Sequence, residues 1–500
     1  MFPKPRHDLV PNTADFERLP FIKPTGFREY DARWLFPQEI NLLGLEAVGL
    51  GLATLMRERV IPPRIVVGHD YRSYSGAVKA ALTTGLLAGG AEVHDIGLAL
   101  SPMAYFAQFE LDVEGVAMVT ASHNDNGWTG IKMGFERPMT FSPEDMTALK
   151  DIVMNAAFTR PEAGGRYIFV PDLPERYMAD LLARPKLIRP LKVVVSCGNG
   201  TASAFAPRVL AELGATVIPL NCELDYAFPA HNPNPEDLSM LNATREAVVA
   251  HGADLGLAFD GDGDRCGVID NEGEAIFADK VGVMLARDIA ARNPGALFVV
   301  DVKSTGLFIT DPVLRSHGAK TTYWKTGHSY IKRYSHETGA LVGFEKSGHF
   351  FFNPPIGRGY DDGLVAALAV LDMLERNPDK TLAELKRELP RTWQSPTMSP
   401  HCDDELKYGV VDRVVEHFTD VAANGGELAG QKIRELITVN GVRIVLEDGT
   451  WGLLRASSNK PELVVVVESP TSEANMRAIF AEIDAELAKH KEVGAYNQKI

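Results

Sequence analysis

Asp260-Gly-Asp262-Gly-Asp264 sets three carboxylates at alternate positions, with Arg265 immediately after them. The two glycines let the backbone curl so that all three carboxylates turn toward one hard cation. This is the spacing of the first half of a calcium-binding helix-loop-helix. However, Arg265 stands where that loop needs glycine and Asn271 where it needs a bidentate glutamate, so that reading fails. An acidic turn held by water is the plainer alternative. Ser122, within Thr120-Ala-Ser-His-Asn124 and upstream of Lys132, offers a hydroxyl that could act as a nucleophile once a base or metal activates it. Taken alone, such a serine fits a local turn better. Glu345-Lys346-Ser347-Gly348-His349 combines donors and acceptors suited to sugar hydroxyls and a nearby anion, or to capping a strand end. Arg455-Ala-Ser457-Ser458-Asn459-Lys460 suits a phosphate, or an exposed polar hairpin.

Such loops need elements that present them together. Three segments share one plan, each opening with a β-branched strand (Arg64–Gly68, Leu191–Val195, Leu297–Asp301) and running through a helix-like stretch to a Gly-Ala pair at Gly90, Gly214 and Gly318. Glycine there takes the left-handed conformation that caps a helix before a new extended segment. Strand, helix, strand predicts parallel pairing. A second apolar run in each segment ends at Thr120, Phe259 or Phe344 and leads into the Ser122, Asp260 and Glu345 loops. Ligands of open α/β sheets bind beyond the carboxyl ends of strands, so three related domains could aim these loops into one cleft.

From about Ser395 the pattern changes. A helix near Asp404–Phe418, strands around Val442–Leu446 and Leu463–Val467 and a final helix over Glu473–Lys489 predict an antiparallel α+β domain. The expected fold class is α/β, with three related mixed α/β domains in tandem plus a C-terminal α+β domain, four around a central cleft. The expected boundaries are an N-terminal arm over 1–20 and domains over 21–165, 166–275, 276–392 and 393–500.

Five hundred residues suit that count at about 150 per domain. A formal charge of −15 argues against nucleic acid or an anionic membrane as partner, so an anionic substrate would need a local basic pocket. Cys197, Cys222, Cys266 and Cys402 lack CxxC spacing and read as reduced thiols of a cytoplasmic protein. No apolar run is long enough to span a bilayer. The first residues, with Pro3, Pro5, Pro11 and Pro20, carry no signal-peptide core and read as a solvated or loosely docked arm.

In order along the chain, Phe27-Arg-Glu-Tyr30-Asp-Ala-Arg33, the Ser122 loop, Asp260–Arg265, Asp301-Val-Lys303, Lys325-Thr-Gly-His328, Glu345–His349, Gly359-Tyr-Asp-Asp-Gly363 and Arg455–Pro461 resemble the motifs of the α-D-phosphohexomutase superfamily, most closely its bacterial phosphomannomutase/phosphoglucomutase branch. The resemblance covers almost the whole chain. It implies reversible phosphoryl transfer between the 1- and 6-positions of mannose or glucose phosphates, through a phosphorylated Ser122 and a hexose 1,6-bisphosphate that turns around in the cleft. It also implies that Mg²⁺ is held by Asp260, Asp262, Asp264 and the phosphoserine oxygen of Ser122, with Arg265 and Lys303 stabilising the transferring charge.

By the same resemblance Tyr30, Lys325, Glu345, Ser347 and His349 bind the sugar phosphate, Glu345 and Ser347 through the 3- and 4-hydroxyls. Arg455, Ser457, Ser458 and Asn459 grip the distal phosphate. Tyr30, Arg33, Lys132 and His328 fall at family positions near the reacting hydroxyl. Histidine titrates near the working pH and arginine does not readily lose a proton, which favours His328 and Lys132 for proton transfer and Arg33 for an electrostatic role. A phosphoserine carries about −1.5 to −2 charges, so cations are needed beside it before an anionic substrate can approach.

Two positions depart from the family pattern. Lys346 stands where the dual-specificity branch usually has methionine, which bears on sugar preference. The Ser122 loop reads Asn124-Asp125-Asn126 where family members commonly have Asn-Pro, which alters loop stiffness more than chemistry. The competing readings are a phosphoglucosamine mutase, an aspartate-nucleophile phosphatase and a non-catalytic sugar-phosphate sensor.

Overall fold

The computed structural model describes residues 8–458 and 460–500. The chain divides into two compact units, one comprising Met1–Ala278, Ser347–Phe352 and Gly357–Ala383, the other Asp279–Lys346, Asn353–Ile356 and Glu384–Ile500.

The first unit contains two sheets. One runs in the order Asp31–Leu35, Trp128–Gly134, Gly115–Val119, Arg64–His69, Glu92–Leu98, Arg166–Phe169. Its strand-helix-strand segment pairs in parallel as expected, Arg64–His69 lying between Glu92–Leu98 and Gly115–Val119. Trp128–Gly134 returns antiparallel beside Gly115–Val119 and sets Lys132 opposite Met118. In the other sheet Lys192–Ser196 is parallel to Thr216–Leu220 and Leu255–Phe259, and Cys266–Asp270 pairs antiparallel with Leu255–Phe259. Asp260–Arg265 is therefore the turn between two paired strands. The inner strands are buried on both faces, which is why Val193–Val195 and Leu255–Phe259 read as unbroken apolar runs.

In the second unit Leu297–Asp301 is parallel to Lys320–Trp324 and to Val342–Phe344. The C-terminal sheet is antiparallel, ordered Trp393–Gln394, Leu463–Ser469, Trp451–Ala456, Val442–Leu446, Gln431–Ile437, Glu427–Leu428, and the helices Lys407–Ala423 and Glu473–Leu487 contribute to its core. Gln431–Ile437 escapes sequence reading because Lys432, Arg434 and Glu435 interrupt its apolar residues on a strand with no fully buried residue. The three Gly-Ala pairs do cap as expected, with φ of 82°, 113° and 68° at Gly90, Gly214 and Gly318.

The described part of the arm is docked. Phe16 is 1% exposed, and the Asn41 side chain donates to Phe16 O and Leu19 O, both at 2.8 Å. No helix among the described residues is long and apolar enough to cross a membrane. The four cysteines stand as free thiols.

Within the second unit one buried carboxylate fastens the C-terminal sheet to the elements around Lys280 and Thr305. Glu468 accepts from Lys280 Nζ at 2.6 Å, Thr392 Oγ1 at 2.7 Å, and Thr305 Oγ1, Gly306 N and Trp451 Nε1 each at 2.8 Å. Burial alone would raise its pKa, but Lys280 and these donors outweigh burial and lower it from 4.5 to about 2. A depressed folded pKa contributes stability that is complete above the unfolded value and is lost as pH falls from about 4.5 through about 2. Glu468→Gln should therefore cost about 3 kcal/mol near neutrality. In urea unfolding the gap between wild type and variant should narrow on acidification, and a gap independent of pH would contradict this.

Candidate active site

The Ser122 loop and the Asp260 loop meet in the first unit. Ser122 is 3% exposed and sits at φ 52°, a left-handed conformation costing a residue with a β-carbon about 1–2 kcal/mol. Surrounding groups impose it. Ser122 N donates to Thr120 Oγ1 at 2.8 Å, and Arg72 Nη2 donates to Ser122 O at 2.9 Å and Asn124 O at 2.8 Å. The Asp70 carboxylate pairs with Arg72 and accepts from Thr120 Oγ1 at 2.8 Å. Gly261 permits the approach of the second loop, since a β-carbon there would lie 2.5 Å from Ser122 O. Ser122 Oγ consequently stands 3.3 Å from both Asp260 Oδ2 and His123 Nδ1.

Asp260, Asp262 and Asp264 are each 0% exposed, and each offers a carboxylate oxygen within 4.8 Å of the others. Lys132 Nζ donates to Asp262 Oδ2 at 2.7 Å and also to Asp264 Oδ2, while Ser101 Oγ donates to Asp262 Oδ2. The remaining oxygens, Asp262 Oδ1 and Asp264 Oδ1, are buried and accept no hydrogen bond. Leaving such atoms unanswered is costly. An oxygen-only donor set with two unanswered carboxylate oxygens suits a hard divalent cation, so the residues present fit a metal.

The charges reinforce this. Burial, followed by the neighbouring Asp264 and Asp262 charges, pushes the Asp260 carboxyl well above its usual range. Asp262 moves the other way, because Lys132 overcomes the effect of burial. Burial lowers the pKa of Lys132, but Asp262 and Asp264 more than reverse that and hold it as an ammonium. So placed, Lys132 balances part of the aspartate charge.

Arg265 extends the cluster. Its Nε donates to His349 Nε2 at 3.0 Å, and its Nη2 lies 2.8 Å from His123 Nδ1. An accepting Nε2 leaves the ring proton on Nδ1, which faces Asp361 Oδ2 at 2.9 Å and Asp264 Oδ1 at 3.7 Å. Arg33 Nη1 donates to Thr120 O at 2.6 Å, and Arg33 pairs with Asp31 at 2.9 Å. Tyr30 and Ser347 are buried.

In the second unit the strand register sets Asp301 opposite Trp324 and Val300 opposite Phe344, so the loops bearing Lys303, Lys325 with His328, and Glu345 leave one end of the sheet. Asp301 ties all three, accepting from Ser304 Oγ at 2.6 Å, Thr326 Oγ1 at 3.2 Å and Lys346 N at 3.3 Å, with Lys303 Nζ at 3.8 Å. Asn440 Oδ1 accepts from Thr326 N at 3.2 Å and Arg455 Nε at 2.8 Å, joining the Lys325–His328 loop to the Arg455 loop. Ser457 and Ser458 follow and are buried; Asn459 lies outside the described residues. Lys346 Nζ, in a buried side chain, lies 3.8 Å from Asp279 Oδ2, which answers its charge within this unit.

Sequence reasoning missed Asp70, Arg72, Ser101 and Asn440. Each acts through a contact with a distant segment, and neither residue type nor spacing marks them. Asp361 lies in the quoted Gly359–Gly363 motif, and that was the available signal.

A serine loop braced against an aspartate trio at the strand ends of α/β sheets defines an α/β protein that sets a hydroxyl beside a cation-fitting site. Profiles described as phosphoglucomutase/phosphomannomutase α/β/α domains I, II and III and C-terminal domain match residues 24–160, 175–273, 277–393 and 406–486. The chain belongs to this family, among the α-D-phosphohexomutases. It is 34% identical to a phosphomannomutase/phosphoglucomutase of Pseudomonas putida over 93% of this chain and 94% of that one. It is also 34% identical to a phosphoglucomutase of Neisseria meningitidis serogroup A over 90% and 94%. A solved phosphoglucomutase/phosphomannomutase family protein from Burkholderia thailandensis superposes with a TM-score of 0.83 at 29% identity, covering 95% of this chain and all of its own.

Proposed function

We propose that the protein interconverts the 1- and 6-phosphates of mannose and glucose, with Ser122 as phosphoryl carrier. The observation that carries this reading is the Ser122 hydroxyl, 3.3 Å from Asp260 Oδ2 beside two buried carboxylate oxygens without donors. Asp260, Asp262 and Asp264 would hold Mg²⁺, which supplies charge neutralisation for phosphoryl oxygens.

The protein's own groups account for the rest. Arg72 and Thr120 fix the Ser122 backbone so that its Oγ meets the incoming group in one geometry. Arg265, held by His349, offers fixed positive charge beside it. Phosphoserine donates to the free hydroxyl of a hexose phosphate, and the resulting 1,6-bisphosphate turns and returns its other phosphate to Ser122. His328 takes up the hydroxyl proton. Glu345 and Ser347 read the 3- and 4-hydroxyls, leaving the 2-position unread, while Arg455, Ser457, Ser458 and Asn459 hold the distal phosphate. This division of labour follows the four expected domains. Four free thiols suit work in the cytoplasm.

Steady-state turnover of glucose 1-phosphate, mannose 1-phosphate and glucosamine 1-phosphate, with Mg²⁺ and a trace of glucose 1,6-bisphosphate, tests the reading. Comparable activity on the first two is expected. Turnover of glucosamine 1-phosphate alone would replace this assignment with an amino-sugar mutase, and none on any of the three would leave a sensor.

A further inference from the structure

The Lys303 loop is gripped from the C-terminal sheet by a residue given no role so far. Arg443, on the strand Val442–Leu446, is 1% exposed. Its Nη1 donates to Val302 O at 2.7 Å and to Ser304 O at 2.6 Å, the carbonyls of the two residues that flank Lys303. Its Nη2 donates to Tyr323 Oη at 3.1 Å. The guanidinium carbon lies 4.1 Å from the Tyr323 ring centroid and 3.5 Å from that of Trp451. Among the described residues Arg443 forms no ion pair, so carbonyls, a phenol and two rings offset its desolvation.

A planar cation buried this way, where an apolar side chain could fill the same volume, suggests a positional task. The lead-in to its strand has a similar one. Asn440 holds Thr326 N and Arg455 Nε. Gly441, at φ 73°, admits no side chain, because a β-carbon would lie 2.1 Å from Leu454 O and 2.7 Å from Arg455 Cα. Asn440 to Arg443 thus fasten the three loops that carry Lys303, Lys325 with His328, and Arg455.

We propose that Arg443 is a positioning residue for phosphoryl transfer, acting by clamping the peptide on each side of Lys303 and so fixing its ammonium. This rests on the reading that Lys303 steadies the transferring group. A displacement of about 1 Å at a reacting centre costs on the order of 10²-fold in rate, and the loss belongs in kcat because Arg443 is placed on no substrate group.

The test is a double-mutant cycle on the full-length enzyme, with Arg443→Met, Lys303→Met and the pair. The expected result is that Arg443→Met lowers kcat on the order of 10²-fold with KM little changed, that Arg443→Lys recovers part of the loss, and that Arg443→Met costs little more once Lys303 is gone. Wild-type kcat in Arg443→Met, or a loss that adds in full to that of Lys303→Met, would overturn the inference alone. Wild-type kcat in Lys303→Met would overturn the reading of Lys303 and the inference with it. If thermal melting shows that Arg443→Met does not fold, the cycle is run with Arg443→Lys and judged by the same coupling.

Discussion

Ser122→Ala abolishes turnover, lowering kcat on the order of 10⁶-fold, the scale seen when a nucleophile is removed from an otherwise intact site, and it leaves the fold unchanged. Both halves follow from where the loop is held. Its restraints engage the Ser122 backbone, through the donation from Ser122 N to Thr120 and the Arg72 donation to Ser122 O, and neither needs the hydroxyl. Alanine carries the same β-carbon at φ 52° and gains no strain that serine lacks. What disappears is Oγ, whose contacts are to Asp260 and His123. Intact-mass measurement should find one phosphoryl group on wild-type protein incubated with glucose 1,6-bisphosphate, mapped to Ser122, and none on the variant. Substantial turnover by Ser122→Ala, or a phosphoryl group mapped to an aspartate, would instead support an aspartate nucleophile.

Much of the scaffold was legible because burial leaves a mark in sequence. Leu255–Phe259 and Phe298–Val300 are buried on inner strands, so they had to be apolar and stood out as runs. Gln431–Ile437 has no fully buried residue, and nothing forced such a run on it. The site divides in the same way. The aspartate trio and the Ser122 loop were visible because their chemistry is concentrated within a few consecutive residues. Asp70 and Arg72 were not, since their importance lies in reaching Thr120, Ser122 and Asn124 some fifty positions away. Lys132 shows a third case. Its place among the family motifs was visible, but its partners were not, since the two buried carboxylates it meets lie on the turn of another strand pair some 130 positions away.

Asp262→Asn should raise the Mg²⁺ concentration needed for half-maximal activity by at least about a hundredfold, since loss of even an outer partner of a metal ligand costs ten- to a hundredfold in affinity. Asp262 divides its oxygens between two tasks. Oδ2 is occupied by Lys132 and Ser101, while Oδ1 is buried with no donor. An asparagine that leaves its carbonyl toward the metal must turn its amide toward the Lys132 ammonium, setting donor against donor. If it flips to satisfy those groups, the amide points at the cation. Either rotamer loses a full negative charge from the trio. Without metal the substitution also relieves like-charge crowding, so the Asp260 carboxyl, held up by burial and by its aspartate neighbours, should move back toward its ordinary value. A readout independent of turnover separates metal binding from catalysis. Mg²⁺ that binds only the native state raises wild-type stability by about 2.7 kcal/mol at a hundredfold excess over Kd, and Asp262→Asn should lose most of that increment in the same titration. An unchanged Mg²⁺-dependent stabilisation in the variant would place the metal elsewhere than on this aspartate trio.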